Sequence, residues 1–471
     1  MADRTVAVRA GRGDTDSPTN HLFRTLFTEH RMYRLFSVEH SIFSAKVRSY
    51  LRFKDDQCDL GLGFEDILAS PELINGLLVK KSGSPSLPQL ALPNGSWLQD
   101  SSEIIDHCEA THQKTTVIPR TPCQRLTTYL IELLADEWLV VPACWERWHY
   151  SKANQRPNHR AFNEQQWGSF LVPEGNGLTR RLAGERFFDK VFGINQTDEE
   201  LKGPYAGLID LGCDEKTQSA WQHCLDRLLE SLETHFQSHD YILGGRPSLA
   251  DFSLLGPLYV HFFRDPVPGF DLRTRFPLVC EWVERTNAEN CLNARRYGHR
   301  YYGLDANCEL EERQVLSDAG EWLTDDKVPH TLEPILAIFF HDMWPYLKTA
   351  TQALADFIAS DQHALGDSLP RKTFTATPGF EHLQTGEGPL TVAFEIGGVQ
   401  SRRMVVPYQI WMLQRLNRAM SGITDKQLET WLGRFRYCGE LLKLNKRLQG
   451  IDIEKRGGLL FSSPPDLSRI E

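Results

Sequence analysis

Apolar and polar positions along the 471-residue chain switch between two periods, and the switches mark the elements. Tyr33 to Phe36 is compact and aromatic-rich, as a short strand is, whereas Phe43, Val47, Tyr50 and Leu51 share one helical face. The changeover falls at Ser41, which puts its hydroxyl at a helix N-terminus. Such a serine either caps the helix or, with the nearby N–H groups, receives an anion, and this stretch alone supports both. Phe64 to Leu73 reads as a linker with a short helix. Leu90 to Leu92 and Trp97 to Leu98 flank Asn94-Gly95, a strong hairpin signal, and a helix follows from about Ser101. Pro88 fits this pattern only where it begins a strand.

From 114 to 302 the period is helical throughout. Leu126, Leu130, Leu133 and Leu134 make one amphipathic face; Trp221, Leu225, Leu228, Leu232 and Phe236 make another, and Phe276 to Asn287 a third. Ser248 and Asp251 form an acidic capping box ahead of an apolar helix from Phe252 to Phe263, a structural role. Trp138, Trp145 and Trp148 either fill a core or line an apolar pocket. Further on, Leu336 to Phe357 carries a long apolar stripe, expected to kink near Pro345. Leu390 to Ile396, Gly397-Gly398 and Val399 to Val406 read as a β-hairpin. Pro407 opens a helix through Met420 with Gly422 as its stop. Thr424 and Gln427 box a last helix faced by Leu428, Trp431, Leu432, Phe435 and Leu442. His341-Asp342 sits within the apolar stripe and has no evident partner, so its role is read as structural.

Length implies two to four domains with real cores. A net charge of −10, with no basic run interleaved with aromatics, argues against a nucleic-acid partner. No apolar stretch reaches the roughly 20 residues of a membrane span. Residues 1–28 read as a flexible leader, in which Asp3, Asp14 and Asp16 accompany the arginines and no hydrophobic signal core is present. The ten cysteines include no Cys-x-x-Cys pair, so no metal site and no dithiol motif is expected, and a reducing cytoplasm is the expected compartment.

Four motifs in order carry a resemblance: Ser41-Ile-Phe-Ser-Ala-Lys-Val-Arg48, Leu87-Pro88, Asp100-Ser101, and Tyr241 to Phe252. Together they resemble the glutathione transferase superfamily over about residues 30 to 300. The resemblance implies an α/β thioredoxin-like unit over 29–113 and an all-α helical unit over 114–302. Residues 303–471 lie outside the resemblance, with no family recognised in them, and read as an extra, mainly helical domain with a β-hairpin. It further implies a cis peptide at Leu87-Pro88, with Leu87, Pro88, Asp100 and Ser101 binding glutathione. Ser41, or Ser44 one turn on, would hold the sulfur. Ile42 stands where many members carry proline, and the lack of cysteine at 41 or 44 disfavours members that transfer through a protein thiolate. Homodimers are usual in this superfamily, although the extra unit adds mass that could block the interface.

The chemistry implied is a glutathione thiolate attacking a hydrophobic small-molecule electrophile. A free thiol has a pKa of about 8.5, and lowering it by about two units takes roughly 2.7 kcal/mol. A hydroxyl bonded to the charged sulfur supplies about 1.5–3 kcal/mol and a helix end about 0.3–1. One serine at a helix N-terminus is therefore sufficient, with no base. Addition, substitution, ether cleavage, dehalogenation and isomerisation share this first step, so the expectation is a transferase or lyase. The alternative is a transferase fold kept as a scaffold or partner-binding module. Glu39 and His40, in the loop, either act on the acceptor or form a solvated face.

Overall fold

The computed structural model describes residues 32–61, 63–152, 157–192, 208, 210–288, 297–298, 300–314, 320–360, 363–364, 366–369, 390–420, 423–435, 438–441, 452–456 and 458–463. The expected leader, the Gly422 stop and Leu442 lie outside these residues.

Strand β1, Tyr33–Ser37, is followed by helix α1, Ile42–Asp56, as the change of period predicts. Next come β2, Phe64–Leu68, a helical stretch α2 over 71–82, β3, Gln89–Ala91, β4, Trp97–Gln99, and α3, Ser101–Thr111. The sheet order is β2-β1-β3-β4, with β2 parallel to β1 and β3 antiparallel to β1 and β4. Alternation along the strands supplies both faces. Tyr33, Leu35 and Leu90 pack on Val47, Tyr50 and Leu51 of α1 and on Ile104 and Ile105 of α3. Phe36 and Ala91 pack on Ile74, Leu77 and Leu78 of α2. This three-layer unit is thioredoxin-like.

The linker expected at Phe64 to Leu73 is corrected in its first half, which is the edge strand β2. Glu and Asp are poor strand formers, and here distant cations stabilise them. Arg34 lies 3.4 Å from Glu65, while the Arg48 Nε and the Ser37 hydroxyl both bond Asp66 at 2.5 Å. The short helix does follow, opened by Ser70 as cap and Pro71.

Helices α4 (Pro122–Glu137), α5 (Val140–Lys152), α6 (Pro157–Leu171), α7 (Gly177–Val191) and α8 (Gln218–His235) form the next layer. Then come α9 (Leu249–Pro257, running into a π turn Leu258–Phe263), α10 (Pro266–Arg275) and α11 (Pro277–Asn287). The Ser248–Asp251 box forms as expected, and α9 packs on both α1 and α4.

Beyond residue 300 the expected stripe is a helical run: Glu333–Ile338, a π turn Phe339–Met343, and Trp344–Ile358. The wider turn stands just before Pro345, whose ring has no N–H for the ladder. The hairpin pairs Thr391–Ile396 with Val399–Met404, and its two turn residues Gly397 and Gly398 both have positive φ, 56° and 80°. A helix over Pro407–Ala419 follows, and Thr424 and Gln427 bond reciprocally at the start of the last helix, Asp425–Leu432. Two further ribbons, Arg300–Leu304 with Leu310–Gln314 and Asp452–Arg456 with Leu459–Ser463, were not foreseen.

This last part shares its core with the helical layer. Trp138 meets Trp221 at 4.6 Å and Phe394 at 5.8 Å between ring centroids. The buried Arg403 guanidinium lies 4.8 Å from the Trp138 ring and 4.4 Å from Tyr346, and donates to the Glu137 carbonyl at 3.0 Å. Trp138, Trp145 and Trp148 are all buried in this common core, which settles their role as packing.

Candidate functional site

Sheet topology gathers the expected residues. Strands β1 and β4 run parallel, so α1 and α3 begin at the same end of the sheet, and β3 starts there too. Ser41 caps α1 with φ −102° and ψ 123°, its Oγ accepting from the Ser44 N–H at 3.3 Å. Asp100 caps α3, its Oδ1 accepting from the N–H groups of Ser102 (2.9 Å) and Glu103 (3.4 Å). Between them lies Leu87-Pro88, a cis peptide as the resemblance implies. Two helix N-termini thus converge on one region and make it favourable for anions. Asp100 has φ 106°, a region that costs a non-glycine residue about 1–3 kcal/mol and clusters at ligand sites.

A cavity of about 180 Å³ opens against Phe43, Leu87, Asp100 and Ser101, with Tyr408 and Lys455 on its far wall. Pro88, Ser41 and Ser44 do not line it. Ser44 is fully buried and its Oγ accepts from the Val38 N–H at 3.4 Å. Ser41 is half-buried and, among the described residues, its hydroxyl hydrogen is donated to no group. Ser101 is buried beside Asp100 but is not the cap, since Asp100 fills that position.

Sequence reasoning missed Tyr408 and Lys455. The Tyr408 hydroxyl donates to Asp100 Oδ2 at 2.6 Å. Lys455 Nζ donates to the Gln99 carbonyl (2.6 Å) and Glu103 Oε2 (2.9 Å) and stands 3.8 Å from Asp100 Oδ2. Burial, and then the Asp100 charge, push the Tyr408 phenol well above its ordinary value, so it remains a donor. Burial lifts the Glu103 carboxyl, and Lys455 opposes that rise. Pro407 registers in the sequence only as a helix start, and no local signal couples its neighbour to a residue 308 positions earlier.

The loop before Ser41 is clamped from the helical layer. Arg147 Nη1 donates to the His40 carbonyl (3.1 Å) and Arg264 to the Glu39 carbonyl (3.4 Å). Glu39 accepts from the Tyr259 hydroxyl at 2.7 Å and pairs with Arg48 at 2.8 Å. His40 packs on Trp167 and Phe170, and burial followed by three nearby guanidiniums hold it well below its usual pKa. Glu39 and His40 therefore brace the loop. Behind α1, the buried Lys46 bonds Glu132 (2.8 Å) and Asp136 (2.6 Å) of α4, fixing the helix that Ser41 caps. Burial raises the Asp136 carboxyl, whereas Arg415 and Lys46 outweigh burial at Glu132 and lower it. Asp342 pairs with Arg227 and accepts from Cys224, which makes it a packing contact between helices. No group of three or more potential metal ligands occurs, and no helix is long and apolar enough to cross a membrane, among the described residues.

Comparison with known proteins gives one family-model match, "Glutathione S-transferase, C-terminal domain", over residues 208–290. No curated protein matches the chain. Among solved structures, the chain is similar to the beta-etherase LigF of Sphingobium sp. strain SYK-6, at 18% identity and TM-score 0.34, over 55% of this chain and 96% of that one. A glutathione S-transferase of Methylobacterium radiotolerans in complex with glutathione sulfonate gives 19%, 0.31, 55% and 92% in the same order. A glutathione transferase family member of Pseudomonas fluorescens Pf-5 with bound glutathione gives 17%, 0.29, 56% and 98%. The matched region runs from just before α8 to just past α11, so within the helical layer this segment is similar to the glutathione S-transferase C-terminal domain.

Proposed function

We propose that the chain is a glutathione-dependent transferase or lyase acting on a hydrophobic electrophile. The observation that carries this reading is the convergence, at one end of the sheet, of Ser41 at the N-terminus of α1 with the cis Leu87-Pro88 step and Asp100-Ser101. Asp100 would take the ligand's ammonium, and Ser101 with the N-terminus of α3 its carboxylate. The Ser41 hydroxyl, with its hydrogen free, would donate to the sulfur, while Ser44 is buried behind it. The thiol proton leaves to solvent. The sulfur lone pair then forms a bond to carbon, and a leaving group departs with its electron pair or, in an addition, a proton is taken up.

The thiolate pKa tests this. Ser41→Ala removes a charge-assisted bond of about 1.5–3 kcal/mol, so the bound thiol should rise by one to two pH units. Thiolate absorbance across pH reads the shift. Turnover near neutrality should fall about ten- to a hundredfold and recover partly at higher pH. An unchanged thiol pKa with full turnover would remove Ser41 from the mechanism.

A second reading, the non-catalytic scaffold, is favoured by a specific observation: Asp100 is already bonded by Tyr408, and the cavity of about 180 Å³ is smaller than the roughly 300–1,000 Å³ typical of ligand pockets. Titration with glutathione separates the two, since a scaffold gives no saturable binding.

A further inference from the structure

The carboxylate that the glutathione reading assigns to a ligand ammonium is held by two groups from the end of the chain. Asp100 Oδ1 is used by two helix N–H groups, and Oδ2 accepts from Tyr408 and faces Lys455 at 3.8 Å. The Lys455 ammonium is itself tied to the Gln99 carbonyl and to Glu103. It therefore stands where an incoming ammonium would have to stand, bonded to the same strand end and the same helix N-terminus. Two ammonium groups on one carboxylate oxygen repel, the more strongly in a partly buried cavity.

The ribbon that carries Lys455 is pressed closely into place. Gly458, at its turn, has φ +74°, and a Cβ there would come 2.4 Å from Ser84 Cβ on the loop leading to Leu87. Both Gly458 and Ser84 border the cavity. The ribbon is thus held firmly enough to keep the Lys455 charge at this end of the site.

We propose that Tyr408 and Lys455 form a latch on Asp100 that sets the specificity of the site, so that a ligand carrying an ammonium binds only by displacing Lys455. The latch rests on the glutathione reading above. It selects by charge: compounds of the same shape without the amino group do not compete for Asp100 and are not held back by it.

Calorimetric titration of the full chain with glutathione, and with its analogue lacking the α-amino group, tests the latch. Lys455→Gln removes the competing charge; Tyr408→Phe removes one hydroxyl and keeps the ring, so it guards against a folding defect. Each variant should bind glutathione at least five-fold more tightly than wild type, with little change for the des-amino analogue. Wild-type binding with equal or weaker binding by both variants would overturn the latch and leave the glutathione reading standing. An equal gain for both compounds would overturn the competition for charge. Failure of wild type and both variants to bind glutathione would overturn the glutathione reading, and the latch with it.

Discussion

Glu146, on α5, is a carboxylic acid with little access to water, facing a cavity it shares with Asp226, Asp271 and His159. Burial first, and then those two aspartates, raise it to about 8. The folded chain therefore holds a proton that the unfolded chain has lost above about 4.3. Stability should fall as pH rises from near 4.3 to 8, by up to about 1.4 kcal/mol per unit from this residue, and level off above 8. Glu146→Gln removes that slope. Melting temperature measured across pH should show the variant close to wild type at pH 4 and more stable at pH 8; parallel curves would mean that Glu146 is ionised in the folded protein. The glutamine can keep a hydrogen bond to Gln222, the neighbour that favours the ionised acid.

At the scale of elements, α6 and α7 pack through a reciprocal pair of glycines. A Cβ on Gly168 would lie 1.7 Å from the Arg180 carbonyl oxygen, and one on Gly184 would lie 1.8 Å from that of Glu164. The backbones touch, and no rotamer change can relieve a contact with backbone. Gly184→Ala gains up to about 1 kcal/mol of helix propensity and meets an overpacking cost of about 1–3 kcal/mol or more. The second term wins. Faster hydrogen exchange over 157–191 and a lower melting temperature are expected; an unchanged exchange pattern would show that the pair has room to part. The pair also supports the site, since Trp167 of α6 stacks on Phe187 of α7 at 4.4 Å and meets His40 at a tilt, 4.3 Å between ring centroids.

Elements with local signals were legible in the sequence. The Ser41 cap, the Asn94-Gly95 turn, the Ser248–Asp251 box and the Thr424–Gln427 box each place their determinants within four residues of one another, where a pattern can be read. Strand β2 was not legible, because the partners that stabilise Glu65 and Asp66 lie on β1 and α1. Half of the candidate site behaves in the same way. Ser41, Leu87 and Asp100-Ser101 were readable in order, but Tyr408 and Lys455 reach Asp100 from the far end of the chain and leave no spacing to find.

For the whole molecule, the shared core makes the units hard to separate. Residues 303–471 bury Phe339, Phe394 and Leu413 in the same cluster as Trp138 and Trp221, and Arg415 bonds Glu132 within it and Asp106 at its edge. Limited proteolysis between 303 and 330 should therefore yield fragments that still elute together under native conditions. Two fragments that separate and each stay folded would refute the shared core.

The distance along the chain between Asp100 and Tyr408 also has a meaning in time. Those 308 residues take roughly 15–60 s to synthesise at about 5–20 residues per second. Throughout that interval the emerging polypeptide presents Asp100 without its tyrosine, and for most of it Trp138 stands without Phe394 and Arg403. A ribosome stalled before residue 407 thus holds a chain with an unlatched carboxylate and an unfinished core, the form most open to early ligand capture and to proteases.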